Sequence, residues 1–131
     1  MSKRYIKPHY TFFEKCVLAL NGIRYGIYSE LHLKIHLLFS MIAIAMGVYF
    51  KITRLEWSIL IISIGIVLIT EVLNTSIELS IDLQTKSKHI RAKLSKDLAA
   101  GAVLIASIQA LLVGYLLFYH KLVMLLAIKH I

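Results

Sequence analysis

Trp57-Ser-Ile-Leu-Ile-Ile-Ser-Ile-Gly-Ile-Val-Leu-Ile-Thr70 runs without a break into Glu71-Val-Leu-Asn74-Thr-Ser-Ile-Glu78-Leu-Ser-Ile-Asp82. The first half is apolar enough for a bilayer, and the second carries four polar residues at spacings of three, four and four. On a helix of 100° per residue these four positions fall within about 80° of one another, on one face. A carboxylate at the bilayer centre costs roughly 2.5–3.5 kcal/mol on insertion scales. A membrane helix that carries Glu71, Glu78 and Asp82 in succession has a use for them.

The rest of the chain agrees with a membrane reading. It has 131 residues, 59% of them hydrophobic, and a mean hydropathy of +0.77. Further apolar runs at Ile35–Phe50 and Leu98–Tyr119 bring the candidate spans to three, at about 33–50, 57–82 and 97–119. A span takes about 20 residues, so the first run borrows from its edges and the second absorbs its carboxylates. The expected fold is all-α, one membrane-embedded domain over residues 1–131. Before the spans, Phe13, Cys16, Val17, Leu20, Ile23 and Ile27 recur at helical spacing between Thr11 and Glu30. This predicts an amphipathic helix over about 11–30 lying on the membrane surface, with a helix packed on a partner as the other reading.

The formal charge of +8 would suit nucleic acid, but its placement excludes that class. Lys3, Arg4, Lys7, Lys15, Arg24 and Lys34 precede the first span; Lys86, Lys88, Arg91, Lys93 and Lys96 lie between the second and third. The opposite ends of the spans carry only Lys51, Arg54, Lys121 and Lys129. By the positive-inside rule the N-terminus and an 83–97 loop are cytoplasmic and the C-terminus is outside, in a bacterial inner membrane. The lone Cys16 permits no intrachain disulfide. No P-loop signature is present.

Depth separates the acidic residues. Counting about 20 residues inward from Trp57 as an interface anchor, the hydrocarbon ends near Ile77. Glu71 then lies roughly 9 Å inside the cytoplasmic boundary, Glu78 near it and Asp82 beyond it. A desolvated carboxylate beside hydrated ones, facing a basic loop, suits a lipid hydroxyl meeting a metal-chelated polyphosphate. Lysines pair with phosphate oxygens, and one or two carboxylates hold Mg²⁺. Solvated helix ends for Glu78 and Asp82, an interhelical structural pair for Glu71 and Asn74, and a topology role for the basic loop remain the plainer alternatives. On the third span, Ala102, Ala106, Ala110 and Gly114 form a small-residue stripe for close helix approach. Gln109 reads as an interhelical hydrogen bonder.

At these residues the chain resembles the prokaryotic integral-membrane diacylglycerol kinase and undecaprenol kinase family. The likeness is carried by Glu71-Val-Leu-Asn74-Thr-Ser-Ile-Glu78 with Asp82, then His89, then Lys96-Asp97-Leu-Ala-Ala-Gly101. Gly22-Ile-Arg24, Glu30 and His36 fit its N-terminal pattern. The resemblance implies an ATP- and Mg²⁺-dependent lipid kinase, working as a homotrimer with shared active sites. It implies Glu71 as general base, with Asn74 and Arg24 on the lipid side. Glu30 and Glu78 would bind Mg²⁺ and the nucleotide phosphates; Ser87, Lys88, His89, Lys96 and Asp97 would contact ATP. Asn74-Thr75 and Ala100-Gly101 are closer to the undecaprenol branch, with diacylglycerol the second substrate. Thr11, His32 and Lys34 depart from the family pattern and bear on lipid selection. The runner-up function is a small proton- or ion-coupled transporter built on the intramembrane carboxylates. Against it, nothing ionisable lies between Trp57 and Thr70 to carry a path onward.

Overall fold

The computed structural model describes residues 10–84 and 89–128, all of them in helices or the short joints between helices. Four helices follow in order: α1 Phe12–Ser29, α2 Leu31–Tyr49, α3 Arg54–Gln84 and α4 Ile90–Ile128. α2, α3 and α4 are each long and apolar enough to cross a membrane. The all-α membrane architecture expected from the sequence is therefore the one observed.

Local chemistry sets each joint. Thr11 and Glu14 form a capping box at the start of α1, each side chain satisfying the other's backbone N–H. One extended residue, Glu30 (φ −99°, ψ 118°), ends α1 and starts α2. The fold-back at Glu30 sets buried Leu33 against Gly26, where a Cβ would stand 3.2 Å from Leu33 Cδ2. Lys34 Nζ donates to the Tyr28 carbonyl at 2.9 Å, serving the exposed C-terminus of α1.

The α2–α3 joint is a Schellman turn. Ile52 N–H bonds the Gly47 carbonyl at 3.1 Å and Lys51 N–H bonds that of Val48 at 3.2 Å. Lys51 takes the left-handed position at φ 48°, where glycine is usual. Thr53 and Glu56 then cap α3 reciprocally. Around this turn Ile52, Leu60 and Phe118 form the buried cluster, with Trp57, Met46 and Phe50 packed on it.

α3 is the central helix, packed on both α4 and α2. Its buried positions are Leu60, Ser63, Val67, Glu71 and Thr75, repeating every three or four residues. Cross-links to α4 run Asp82–Lys96, Ser63–Gln109 and Glu56–Lys121, which makes α3 and α4 an antiparallel hairpin. Ser63 Oγ donates to Gln109 Oε1 at 3.4 Å, the interhelical bond expected of Gln109.

Two segments differ from the sequence reading. The stretch read as an 83–97 loop is helical from Ile90 onward, because His89 caps α4. Its carbonyl accepts from Lys93 N–H at 3.1 Å and its Nδ1 from Arg91 N–H at 3.2 Å. At the other end α4 does not stop near Tyr119 but continues through Ile128, since nothing after it breaks a helix.

Candidate active site

The polar face of α3 is graded in burial. Glu71 is only 4% exposed, on the side of α3 that packs within the bundle, and Thr75 one turn on is also buried. Asn74 and Glu78 are half-buried, and Asp82 is exposed. Sequence depth predicted such a gradient across a bilayer. The same order holds within the protomer, because no described position of α3 beyond Thr75 is buried. Along the helix axis Glu71 and Glu78 stand roughly 10 Å apart.

Asn74 and Glu78 act as a pair. Asn74 Nδ2 donates to Glu78 Oε1 at 3.3 Å, one turn away. Asn74 Oδ1 is buried and has no hydrogen-bond partner among the described residues. A buried amide oxygen without a donor is costly, so this atom is available to a ligand's donor or to a cation. Together the two side chains offer an amide oxygen from Asn74 and a half-buried carboxylate from Glu78. That donor set fits a hard cation such as Mg²⁺, which takes one or two carboxylates and completes its shell with water and phosphate. Among the described residues no three His, Cys, Asp or Glu side chains converge as a ready-made metal site. Glu30, the other carboxylate expected to hold the ion, is half-buried at the α1–α2 break and accepts from Ser29 Oγ at 3.3 Å.

Of the residues expected to meet ATP, Lys96 and Asp97 project from the second turn of α4 rather than from a loop. Lys96 Nζ bonds Asp82 Oδ1 at 2.5 Å, tying α4 to the acidic face of α3. His89 is engaged through Nδ1 as the cap of α4, which leaves Nε2 as its outward donor. Ser87 and Lys88 lie outside the described residues. Arg24, expected on the lipid side, is exposed on α1 with its guanidinium 5.6 Å from the centre of the Tyr28 ring.

Sequence reasoning missed the Asp82–Lys96 and Glu56–Lys121 pairs, because pairing across an antiparallel hairpin depends on the register. It named Thr75 only within Asn74-Thr75 and not as a buried residue, for which its position one turn from Glu71 was the available signal. A further feature is a cavity of about 600 Å³ between α2, α3 and α4, lined by Phe39, Ala43, Leu60, Val67, Leu111 and Phe118 among others. On α3 the lining runs from Leu60 to Val67, so the apolar groove ends one helical turn short of Glu71 and runs toward the Trp57 end.

Residues 17–118 match the family model described as prokaryotic diacylglycerol kinase. The chain is 34% identical over 111 residues to an undecaprenol kinase of Bacillus subtilis, covering 85% of this chain and 90% of that protein. It is 34% identical over 97 residues to a diacylglycerol kinase of Synechocystis, covering 73% of this chain and 55% of the relative. With a diacylglycerol kinase of Helicobacter pylori it shares 28% identity over 112 residues, 82% of this chain and 88% of the other.

Proposed function

The chain belongs to the prokaryotic diacylglycerol kinase family, a family of bacterial multi-pass membrane lipid kinases, and from that premise we propose that it transfers the γ-phosphoryl group of ATP to the hydroxyl of undecaprenol, with diacylglycerol as the second candidate. The preference for undecaprenol rests on Asn74-Thr75 and Ala100-Gly101, and on the extent of the likeness to the Bacillus subtilis relative. The observation that carries the reading is the graded face of α3. One buried carboxylate lies one turn beyond an apolar groove, and a half-buried amide–carboxylate pair, Asn74 and Glu78, follows within two turns toward the basic end.

The residues divide the work. The groove takes the hydrocarbon chain and brings the lipid hydroxyl to Glu71. Glu71 accepts the hydroxyl proton as the oxygen bonds to the γ-phosphorus, and ADP leaves with the electrons of the broken P–O bond. Phosphoryl transfer asks mainly for positioning and charge neutralisation, which this arrangement supplies without a P-loop. Glu78, Asn74 and Glu30 would hold Mg²⁺, which when bound offsets the negative charge of the polyphosphate. Lys96 gives a point charge for a phosphate oxygen, and His89 Nε2 a donor at the head of α4. Asp97, Ser87 and Lys88 belong to the same nucleotide end, and Arg24 to the lipid side. This chemistry would require the N-terminus and the α3–α4 connection on the cytoplasmic side, where ATP is. A homotrimer with shared sites would cover the many apolar side chains that one protomer leaves exposed.

The transporter alternative has no support from the family. Purified protein given γ-labelled ATP and Mg²⁺ with undecaprenol, diacylglycerol or ceramide in mixed micelles tests the proposal. Label should pass to undecaprenol fastest. A protein that labels no lipid is not a lipid kinase, and one that prefers diacylglycerol overturns the substrate assignment alone.

A further inference from the structure

Leu122-Val-Met-Leu-Leu-Ala-Ile128 continues α4 as seven apolar residues in a row, outside the region that the family model matches. The ion pair between Lys121 Nζ and Glu56 Oε1, 2.8 Å long, sets its height against α3. In antiparallel register Val123 comes level with Arg54, the first residue of α3. Met124–Ile128 therefore extend roughly 8 Å past the start of α3.

The side chains from Leu122 through Ala127 are exposed. At 100° per residue, six successive positions go all the way round the helix. A helix that docks on a protein shows an apolar stripe with polar residues opposite; one apolar all round belongs in a core or in lipid. No core surrounds this segment within the protomer, and no polar face points to water. Leu122 also lines the wall of the apolar groove, so the tail continues the lipid-depth surface of the bundle.

We propose that Leu122–Ala127 is immersed in the acyl chains of the leaflet on the Trp57 side, so that the hydrocarbon extends past the Trp57 boundary expected from the sequence and encloses the Glu56–Lys121 ion pair. Partnered charges are the form in which ionisable side chains are tolerated at that depth. Both members are already less than one-third exposed within the protomer. The stretch of α4 from Leu98 to Ile128, broken only by Gln109, His120 and Lys121 among large polar residues, then measures roughly 46 Å against a hydrocarbon core of about 30 Å, a mismatch met by tilt or local thickening.

Nitroxide labels on single cysteines at Val123, Met124, Leu125, Leu126 and Ala127, in the full chain with Cys16→Ser, test this in phosphatidylethanolamine–phosphatidylglycerol vesicles. Immersion in lipid gives high collision rates with oxygen and low rates with a water-soluble nickel chelate at all five positions. High nickel-chelate collision overturns the proposal in favour of an aqueous tail. Low collision with both reagents, recurring every three or four residues, overturns it in favour of a protein partner such as a second copy. The readout needs no kinase activity, so it stands or falls apart from the catalytic assignment.

Discussion

Lys96 Nζ lies 2.5 Å from Asp82 Oδ1, so the lysine assigned to ATP is held by the outermost carboxylate of the α3 acidic face. Such a partly exposed pair is worth about 0–1 kcal/mol, little enough for a phosphate to displace the carboxylate. Asp82→Asn should therefore lower the KM for ATP by no more than about fivefold. Lys96→Ala, which removes a charged hydrogen bond to phosphate, should raise it roughly tenfold or more. Steady-state kinetics over ATP concentration separates the two. A large rise in KM for Asp82→Asn would instead make Asp82 part of the nucleotide site.

Glu71 and Glu78 should fail differently. Glu71→Gln keeps the shape but not the proton acceptor, and should cut lipid phosphorylation by roughly a hundredfold to ten-thousandfold with ATP binding retained. Glu78→Gln should leave the base intact and raise the half-saturating Mg²⁺. Asn74→Ala, which removes the donor to Glu78 Oε1, should raise the same value by about tenfold. Mg²⁺ titration of kcat together with nucleotide binding by calorimetry distinguishes these outcomes.

Gly47 tests the packing of the Trp57 end. A Cβ there would stand 3.0 Å from Trp57 Cη2 and 3.1 Å from Ile52 Cδ1, inside the buried cluster. Gly47→Ala should cost about 1–3 kcal/mol by overpacking. Gly22→Ala, where an added methyl meets nothing within 4 Å, should be neutral or stabilising. Thermal unfolding in detergent followed by the fluorescence of Trp57, the chain's single tryptophan, reads both changes.

The first turn of α1 should fray in acid. The Glu14 carboxyl is held below its ordinary value of 4.5, chiefly by the hydrogen bond from the Thr11 backbone N–H and then by the Thr11 hydroxyl. A carboxyl with a depressed folded pKa contributes stability above its unfolded pKa and loses it as pH falls through the folded one. Amide exchange in residues 12–15, corrected for intrinsic rates, should therefore speed up below about pH 4.5. Glu14→Gln should remove that pH dependence.

The architecture was legible because hydropathy and period are local properties. Runs of apolar residues predicted α2, α3 and α4, and the spacing of Phe13, Val17 and Leu20 predicted α1, each from residues close in the chain. The polar face at Glu71, Asn74, Glu78 and Asp82 was legible for the same reason, since one helix carries all of it. The ends of α4 were harder. His89 capping the helix from Ile90 is a side-chain-to-backbone choice that charge counting had assigned to a loop.

By itself, then, the sequence determined an all-helical membrane protein with three spans and one acidic helix face, because a bilayer filters segments by composition and a helix sorts residues by period. Only the tertiary structure decided which of those residues meet. The antiparallel register of α3 and α4 pairs Asp82 with Lys96 and Glu56 with Lys121, residues 14 and 65 positions apart. It also turns Glu71 into the bundle, leaves Asn74 Oδ1 without a hydrogen-bond partner among the described residues, and carries Leu122–Ile128 past the start of α3. Those outcomes depend on how far one helix slides along another, which packing sets and no local pattern encodes.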